Sequence, residues 1–162
     1  MEPPADRLVH ELKYRGWRDL AGPMSLSMRS VAWPDDAHEP AVVTPVPTTG
    51  RRLRERGYNQ AECLARAYAS ATSRDVRMLL LRSSGTRTQT SLQPAARAAN
   101  VAGAFAARER IAGLHVILVD DVLTTGATAA ECARVLDDAG ACCIRLLTFA
   151  RAFDMRGLTR TT

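Results

Sequence analysis

VILVDDVLTTGAT, residues Val116–Thr128, is the stretch on which the reading of this chain turns. Four aliphatic residues, Val116–Val119, run into the adjacent acids Asp120 and Asp121; Thr124, Thr125 and Thr128 then surround Gly126. A near-continuous aliphatic run, His115–Val119 with its flank, is what a parallel strand needs when helices cover both its faces. Downstream, residues 126–139 carry Ala129, Cys132, Ala133 and Leu136 at helical spacing and close at Gly140. The segment reads strand, turn, helix. In sheets of this kind ligands bind beyond the carboxyl ends of the strands, so the turn is where chemistry is expected.

Two different chemistries meet there. The first amides of a helix have no intrahelical partner, and the helix dipole favours an anion beside them. Gly126 lets backbone approach closely and the threonine hydroxyls add donors, so Thr124, Thr125, Gly126, Ala127 and Thr128 read as a site for one phosphate group. Asp120 and Asp121 cannot share that role, because like charges repel. Ionised carboxylates only accept hydrogen bonds and want neutral donors. A sugar cis-diol supplies two hydroxyls about one ribose ring from a 5′-phosphate, and the combination predicts a ribose 5-phosphate cradle. A Walker B strand also ends in acids, but its GxxxxGK[ST] partner is absent and Lys13 is the sole lysine. A dinucleotide-binding GxGxxG is absent as well. TTGAT resembles a flavodoxin phosphate loop, which leaves a flavodoxin-like carrier as a remote alternative; Leu123, however, stands where a hydroxyl residue is expected. An acid pair that merely starts a helix is the bland alternative, and it leaves the threonines and glycine without a purpose.

Working outward, residues 4–15 and 17–30 read as helical, with a weak point at Gly22-Pro23. AVVTPVP (residues 41–47) reads as a short strand ended by its prolines. After the basic turn TTGRRLRERGY, Asn59 and Glu62 are in capping-box position for a helix burying Ala61, Leu64, Ala65 and Tyr68. Residues 76–81 and 142–149 read as further strands, with Cys142 and Cys143 as buried free thiols. The polar stretch from Arg82 to about Asn100 is longer than a tight connection and reads as a functional lid or else as a disordered segment. Strands alternating with helices predict an α/β domain around a mainly parallel sheet. Its expected organisation is a single domain over residues 1–162, with residues 1–40 as a small helical hood, packed through Trp17 and Trp33, over a core of residues 41–151.

At 162 residues the chain suits one domain with a hydrophobic core. No apolar run approaches a membrane span and no secretory signal is visible, so a cytoplasmic protein is expected. The net charge of +5 rests on 21 arginines and one lysine. Such an excess suits phosphorylated metabolites or nucleic acid without proving either. The four cysteines form no CxxC pair, and His10, His38 and His115 are scattered, so no protein-built metal site is expected. The run Arg51, Arg52, Arg54, Arg56 reads with Arg51 near a ligand and the rest mostly structural or solvated. Single-stranded DNA binding by stacking would want aromatics among the arginines, and Tyr58 alone is there.

VILVDDVLTTGAT resembles the phosphoribosylpyrophosphate (PRPP) signature of type I phosphoribosyltransferases, and VPTTGRRLRERGYNQAECLA with RTQTSLQPAARAANVAGAF resembles the ComF branch of that superfamily. The resemblance runs from about Leu12 to Arg151. It implies a type I phosphoribosyltransferase fold in which Asp120 and Asp121 hold the ribose hydroxyls and Thr124–Thr128 the 5′-phosphate. It also implies a pyrophosphate turn at Thr48, Thr49, Gly50 and Arg51, and a closing loop over Arg82–Gln93. The expected activity is transfer of ribose 5-phosphate from PRPP to an unidentified acceptor. Arg82 and Arg87 are then the candidate catalytic arginines, and Mg²⁺ arrives on the PRPP phosphates. The remaining pattern falls on Arg56, Gly57, Asn59, Gln60, Arg97 and Asn100, without individual roles. The alternative within the family is a non-catalytic protein serving DNA uptake or regulation. ComF proteins commonly carry an N-terminal zinc ribbon; no such cysteines precede Leu12 here, and a role depending on that ribbon is not expected. A homodimer stays open.

Overall fold

The computed structural model describes residues 4–14, 18–31, 41–83 and 101–152. In chain order the elements are α1 (Pro4–Tyr14), a short 3-10 turn (Arg18–Leu20), α2 (Ala21–Arg29), β1 (Ala41–Pro45), α3 (Gly50–Arg56) and α4 (Gln60–Ala71). Then follow β2 (Leu80–Arg82), β3 (Phe105–Ala107), β4 (His115–Leu123), α5 (Ala127–Asp138) and β5 (Cys143–Arg151). β4 is central in a parallel sheet of order β1-β4-β5, while β2 and β3 form a separate antiparallel pair. This is the α/β fold with a mainly parallel sheet that the residue pattern predicts. No helix among the described residues is long and apolar enough to cross a membrane.

The aliphatic run of β4 divides between two cores because successive side chains of a strand point to opposite faces. Val116 and Leu118 pack with Leu79, Phe105, Ile111, Cys132 and Leu136, on the α5 side. Ile117 and Val119 pack with Leu12, Met24, Leu64, Ala65 and Tyr68, on the α1, α2 and α4 side. Full burial of one such aliphatic side chain contributes roughly 1.5–3 kcal/mol, so both faces must stay covered. Ala61, Leu64, Ala65 and Tyr68 of α4 are all buried, as their spacing requires. The N-terminal helices are also tied down by polar contacts. The Tyr58 hydroxyl donates to the Leu12 carbonyl, and Arg18 lies over the Tyr58 ring, 4.7 Å from its centroid, with Nη2 donating to the Gly57 carbonyl at 3.2 Å.

Several elements depart from the pattern read in the sequence, each for a physical reason. Gly22 and Pro23 do not weaken the helix; they fall in the first turn of α2, where proline lacks only an amide that would have no intrahelical partner. TTGRRLRERGY is not an open turn. Thr49 caps it, its Oγ1 accepting from the Arg52 amide at 3.2 Å, and the helix stops at Gly57, whose φ of 76° suits glycine. The Asn59–Glu62 capping box does not form: Asn59 Nδ2 donates to the Val46 carbonyl at 3.0 Å and Glu62 pairs with Arg66. The expected strand over residues 76–81 splits. Val76 bridges Val43 of β1, but at Leu79 the amide bonds the Thr44 side chain at 3.2 Å instead of a ladder carbonyl, and the chain leaves the sheet to pair as β2 with β3. In α5 the inward residues are Ala129, Cys132, Val135 and Leu136, with Ala133 only partly covered. Cys142 is exposed and Cys143 half-buried, not buried as expected. They lie at the start of β5, which has a strand neighbour on one side only among the described residues.

Candidate functional site

β1 and β4 run side by side but end at different heights, and that difference makes a cleft. β1 stops at Pro45, paired with Val119, and Pro47 follows; β4 continues to Leu123 because β5 still pairs with it, Asp120 against Thr148 and Leu123 against Arg151. Among the described residues, the β1 side of residues 120–123 is therefore free of strand pairing. Opposite it, the turn after β1 climbs into α3. The space between is a cleft of about 300 Å³, at the lower end of the range for small-molecule sites. Its wall includes Val46, Pro47 and Thr48 from the turn, Arg52 and Arg56 from α3, and Asn59, Gln60 and Ala61 at the start of α4. Arg82 from β2, Asp120, Asp121 and Val122 from β4, and Thr124 and Thr128 beyond it complete the wall.

The sequence placed the acids beyond the strand; they belong to it. Asp121 is buried and Asp120 half-buried, with the Asp121 amide donating to Asp120 Oδ1 at 2.9 Å. That bond fixes the Asp120 carboxylate against the backbone, while Asp121 is confined by its burial. At the far end, Gly126 stands at the N-cap of α5 with φ 79° and no side-chain cap, and the Ala127 amide reaches Thr125 Oγ1 only at 3.5 Å. An uncapped helix start of this kind suits an anion.

Three guanidiniums, Arg52, Arg56 and Arg82, line the same cleft as the two carboxylates. Arg82 is half-buried and stacks on Phe105, its guanidinium carbon 5.0 Å from the ring centroid. Burial lowers its pKa, and the like charge of Arg52 lowers it further, while Asp120 acts in the other direction. Two cations converging on one cavity favour an anion between them. Beneath them, burial and then the Asp120 charge push the Cys132 thiol up to about 12, so this cysteine is a packing residue and not a nucleophile. No group of three or more His, Cys, Asp or Glu side chains among the described residues is arranged to hold a metal ion.

The stack of Arg82 on Phe105 depends on the loop that leads into β3. Glu131 of α5 holds it, accepting from the Gly103 amide at 2.8 Å while Arg134 donates to the same carboxylate. The Arg134 hydrogen bond first, and the Gly103 amide second, hold the Glu131 carboxyl down at about 2. A folded-state pKa depressed in this way gives stabilisation that is present above the ordinary carboxylate value and lost as pH falls towards about 2. Glu131→Gln should therefore reduce hydrogen-exchange protection of the Gly103 amide at neutral pH. The Tm difference between wild type and variant should shrink as pH drops below the ordinary value of 4.5. Equal exchange of Gly103 in both proteins would rule out the anchor.

Of the residues the sequence singled out, Thr48, Arg82, Asp120, Asp121, Thr124 and Thr128 line one cleft. Thr49 is used as the cap of α3, Gly50 is exposed, and Arg51 turns away to pair with Glu55 at 2.7 Å. Thr125, Gly126 and Ala127 form the turn between the two lining threonines. Arg87, Arg97, Asn100, Trp17, Trp33 and His38 lie outside the described residues, as does most of the expected closing loop. The cleft also holds Arg52, which the sequence reading left as structural or solvated, and gives Arg56, Asn59 and Gln60 a common location. The signal for the two arginines was present: with Thr49 as a cap, Arg51 and Glu55 share one helix face and Arg52 and Arg56 the next.

The phosphoribosyl transferase domain model matches residues 37–159. The DNA utilization protein YhgH of Salmonella typhi is 32% identical over 165 residues, covering 92% of this chain and 68% of that protein. Competence protein F of Haemophilus influenzae is 30% identical over 157 residues, covering 92% and 69%. Among solved structures, the glutamine PRPP amidotransferase of B. subtilis complexed with ADP and GMP aligns with a TM-score of 0.56 and 22% identity over 85% of this chain. The chain spans 30% of that larger protein, so the likeness concerns the fold of one part of it. By the domain match and by these relatives, the chain belongs to the phosphoribosyltransferase family, in its competence protein F type.

Proposed function

We propose that this protein binds PRPP in the β1–β4 cleft and transfers ribose 5-phosphate from it to an acceptor. The observation that carries the reading is the juxtaposition, in one cleft, of a carboxylate pair, an uncapped helix start and three guanidiniums. Asp120 and Asp121 would accept from the ribose hydroxyls, the Thr124–Thr128 turn would hold the 5′-phosphate, and Thr48, Arg52, Arg56 and Arg82 would face the pyrophosphate. In transfer, the acceptor's lone pair forms a bond to C1 as the C1–O bond breaks. The bonding electrons leave with pyrophosphate, and a proton is released where the acceptor carried one. Negative charge grows on the leaving group, and donors already aimed at it lower the barrier. Mg²⁺ bound to the phosphates would add charge neutralisation; it keeps water ligands and needs few from the chain, which suits a cleft with two carboxylates.

Calorimetric titration of PRPP with Mg²⁺ tests the binding step, with saturable heat expected from the wild-type protein and none expected if the reading is wrong. Arg52→Ala should weaken binding about tenfold, the loss of one charge-assisted hydrogen bond. Arg51→Ala should leave affinity within about twofold, since an exposed ion pair contributes little. The opposite ranking would move the pyrophosphate end towards Arg51. Release of pyrophosphate in the presence of candidate bases and amines would then test turnover.

A second reading has its own observation. Arg51, Arg52 and Arg54 are exposed on α3 beside the cleft, and the relatives are named for DNA utilization and competence. A domain that handles single-stranded DNA without transfer would show affinity falling steeply with salt. Salt-insensitive or absent binding would remove that reading.

A further inference from the structure

Thr44 lies within β1, is fully buried and is not one of the residues that line the cleft. A hydroxyl set among aliphatic neighbours in a strand answers a local need, since buried polar groups are kept where they are hydrogen-bonded. The need here is one amide. On the edge of β1 away from β4, the Val43 amide donates to the Asp75 carbonyl at 2.8 Å and the Arg77 amide donates to the Val43 carbonyl at 3.0 Å, the start of a parallel ladder. The next rung requires an amide from position 45, and Pro45 has none. With that rung missing, the chain swings off the sheet. The Leu79 amide, which a continued ladder would give to the Pro45 carbonyl, instead donates to Thr44 Oγ1 at 3.2 Å.

Leu79 is thus the fork between the two sheets. Its amide is held by β1 through Thr44, and its carbonyl accepts from the Arg108 amide, just beyond β3, at 2.9 Å. The next three residues are β2, whose last member, Arg82, pairs with Phe105 in the antiparallel register and stacks on its ring. Arg82 Nε is buried with no hydrogen-bond partner among the described residues. The place of this guanidinium on the cleft wall therefore follows from the path of the β2 backbone and from Phe105. We propose that Thr44 is a positioning residue: its hydroxyl anchors Leu79 and thereby sets Arg82 at the cleft. The proposal rests on the PRPP reading, in which Arg82 faces the pyrophosphate, and adds to it a residue of β1 outside the cleft wall. Glu131 holds the same antiparallel pair at a second point, through Gly103.

The test compares Thr44→Val, which keeps the shape and removes the acceptor, with Thr44→Ser, which keeps the hydroxyl. By heteronuclear NMR the wild-type Arg82 Nε proton should exchange slowly and carry the ring-current shift of Phe105. Thr44→Val should lose that shift and speed exchange of the Leu79 amide, while Thr44→Ser should retain both. In calorimetric titration of PRPP with Mg²⁺, Thr44→Val should bind about fivefold more weakly and Thr44→Ser within about twofold of wild type, the scale of part of one charge-assisted bond. In an Arg82→Ala background Thr44→Val should add no more than about a twofold loss, because the group it positions is gone. A valine variant with the wild-type Nε signal overturns the proposal, as does undiminished PRPP affinity in that variant. An equal fivefold loss in the Arg82→Ala background also overturns it, since Thr44 would then support the fold and not the arginine. If Thr44→Val does not fold, Thr44→Cys leaves a weak acceptor in place and should move both readouts in the same direction. Wild type that binds no PRPP overturns the PRPP reading, and the Nε signal then decides by itself whether Thr44 places Arg82.

Discussion

Asp120→Asn with Asp121→Asn is expected to weaken PRPP binding by about 100-fold or more while the protein stays folded. The carboxylates are pure acceptors, and the ribose diol is the donor pair they would meet. Each hydrogen bond to a charged group is worth roughly 1.5–3 kcal/mol, so two of them span about two to four orders of magnitude in affinity. The substitution keeps side-chain shape, and β4 holds its place through backbone pairing to β1 and β5, to which neither carboxylate contributes. Circular dichroism and Tm should therefore resemble wild type. Undiminished PRPP affinity in the folded variant would remove the ribose assignment, whatever the fate of the phosphate turn.

Gly126→Val should damage the same site through the backbone. Gly126 has φ 79°, where an L side chain is strained, and a Cβ there would meet only Leu123 Cδ1 at an ordinary 3.7 Å. Space is thus not the obstacle. Holding a non-glycine residue in this conformation costs about 1–2 kcal/mol, with a branched side chain at the high end. For a chain of this size that corresponds to a fall in Tm of about 2–8 °C. Relief of the strain would swing the Ala127 and Thr128 amides away from the cleft, and PRPP affinity should drop about 30-fold or more, on the scale of lost bonds to a charged group. Gly126→Asn provides the contrast, since asparagine tolerates the left-handed region; it should keep the Tm within about 2 °C and retain most of the binding. Equal affinity in the valine variant would show that the turn does not hold the phosphate.

Both variants probe features legible in the sequence. Asp120 and Asp121 stand out in the sequence because paired acids after an aliphatic run are chemically specific. Gly126 stands out because threonines around a glycine before a helix read as an anion turn. Arg52 did not stand out, and Gln60 did so only through the family resemblance, without a role. An arginine within a basic run looks solvated until Thr49 is seen to cap a helix that turns Arg51 away from the cleft and sets Arg52 on its wall. A glutamine at a helix start looks exposed until burial at 4% and an unpartnered Nε2 single it out. Asn59 shows the same limit. Its spacing to Glu62 matched a capping box, but the Val46 carbonyl, 13 residues earlier in the chain, captured its side chain.

By itself the sequence determined the alternation of strands and helices, the aliphatic strand buried on both faces, and the acid pair and threonine–glycine turn at its end. All of these depend on neighbours a few residues apart, where periodicity and charge are local properties. Only the tertiary structure decided where the cleft opens, because that depends on β1 stopping at Pro45 while β5 carries β4 on to Leu123. It also decided which arginines face the cleft and where β2 leaves the sheet. Those outcomes are set by hydrogen bonds and burial between residues far apart in the chain, such as Leu79 with Thr44, and no local pattern encodes them.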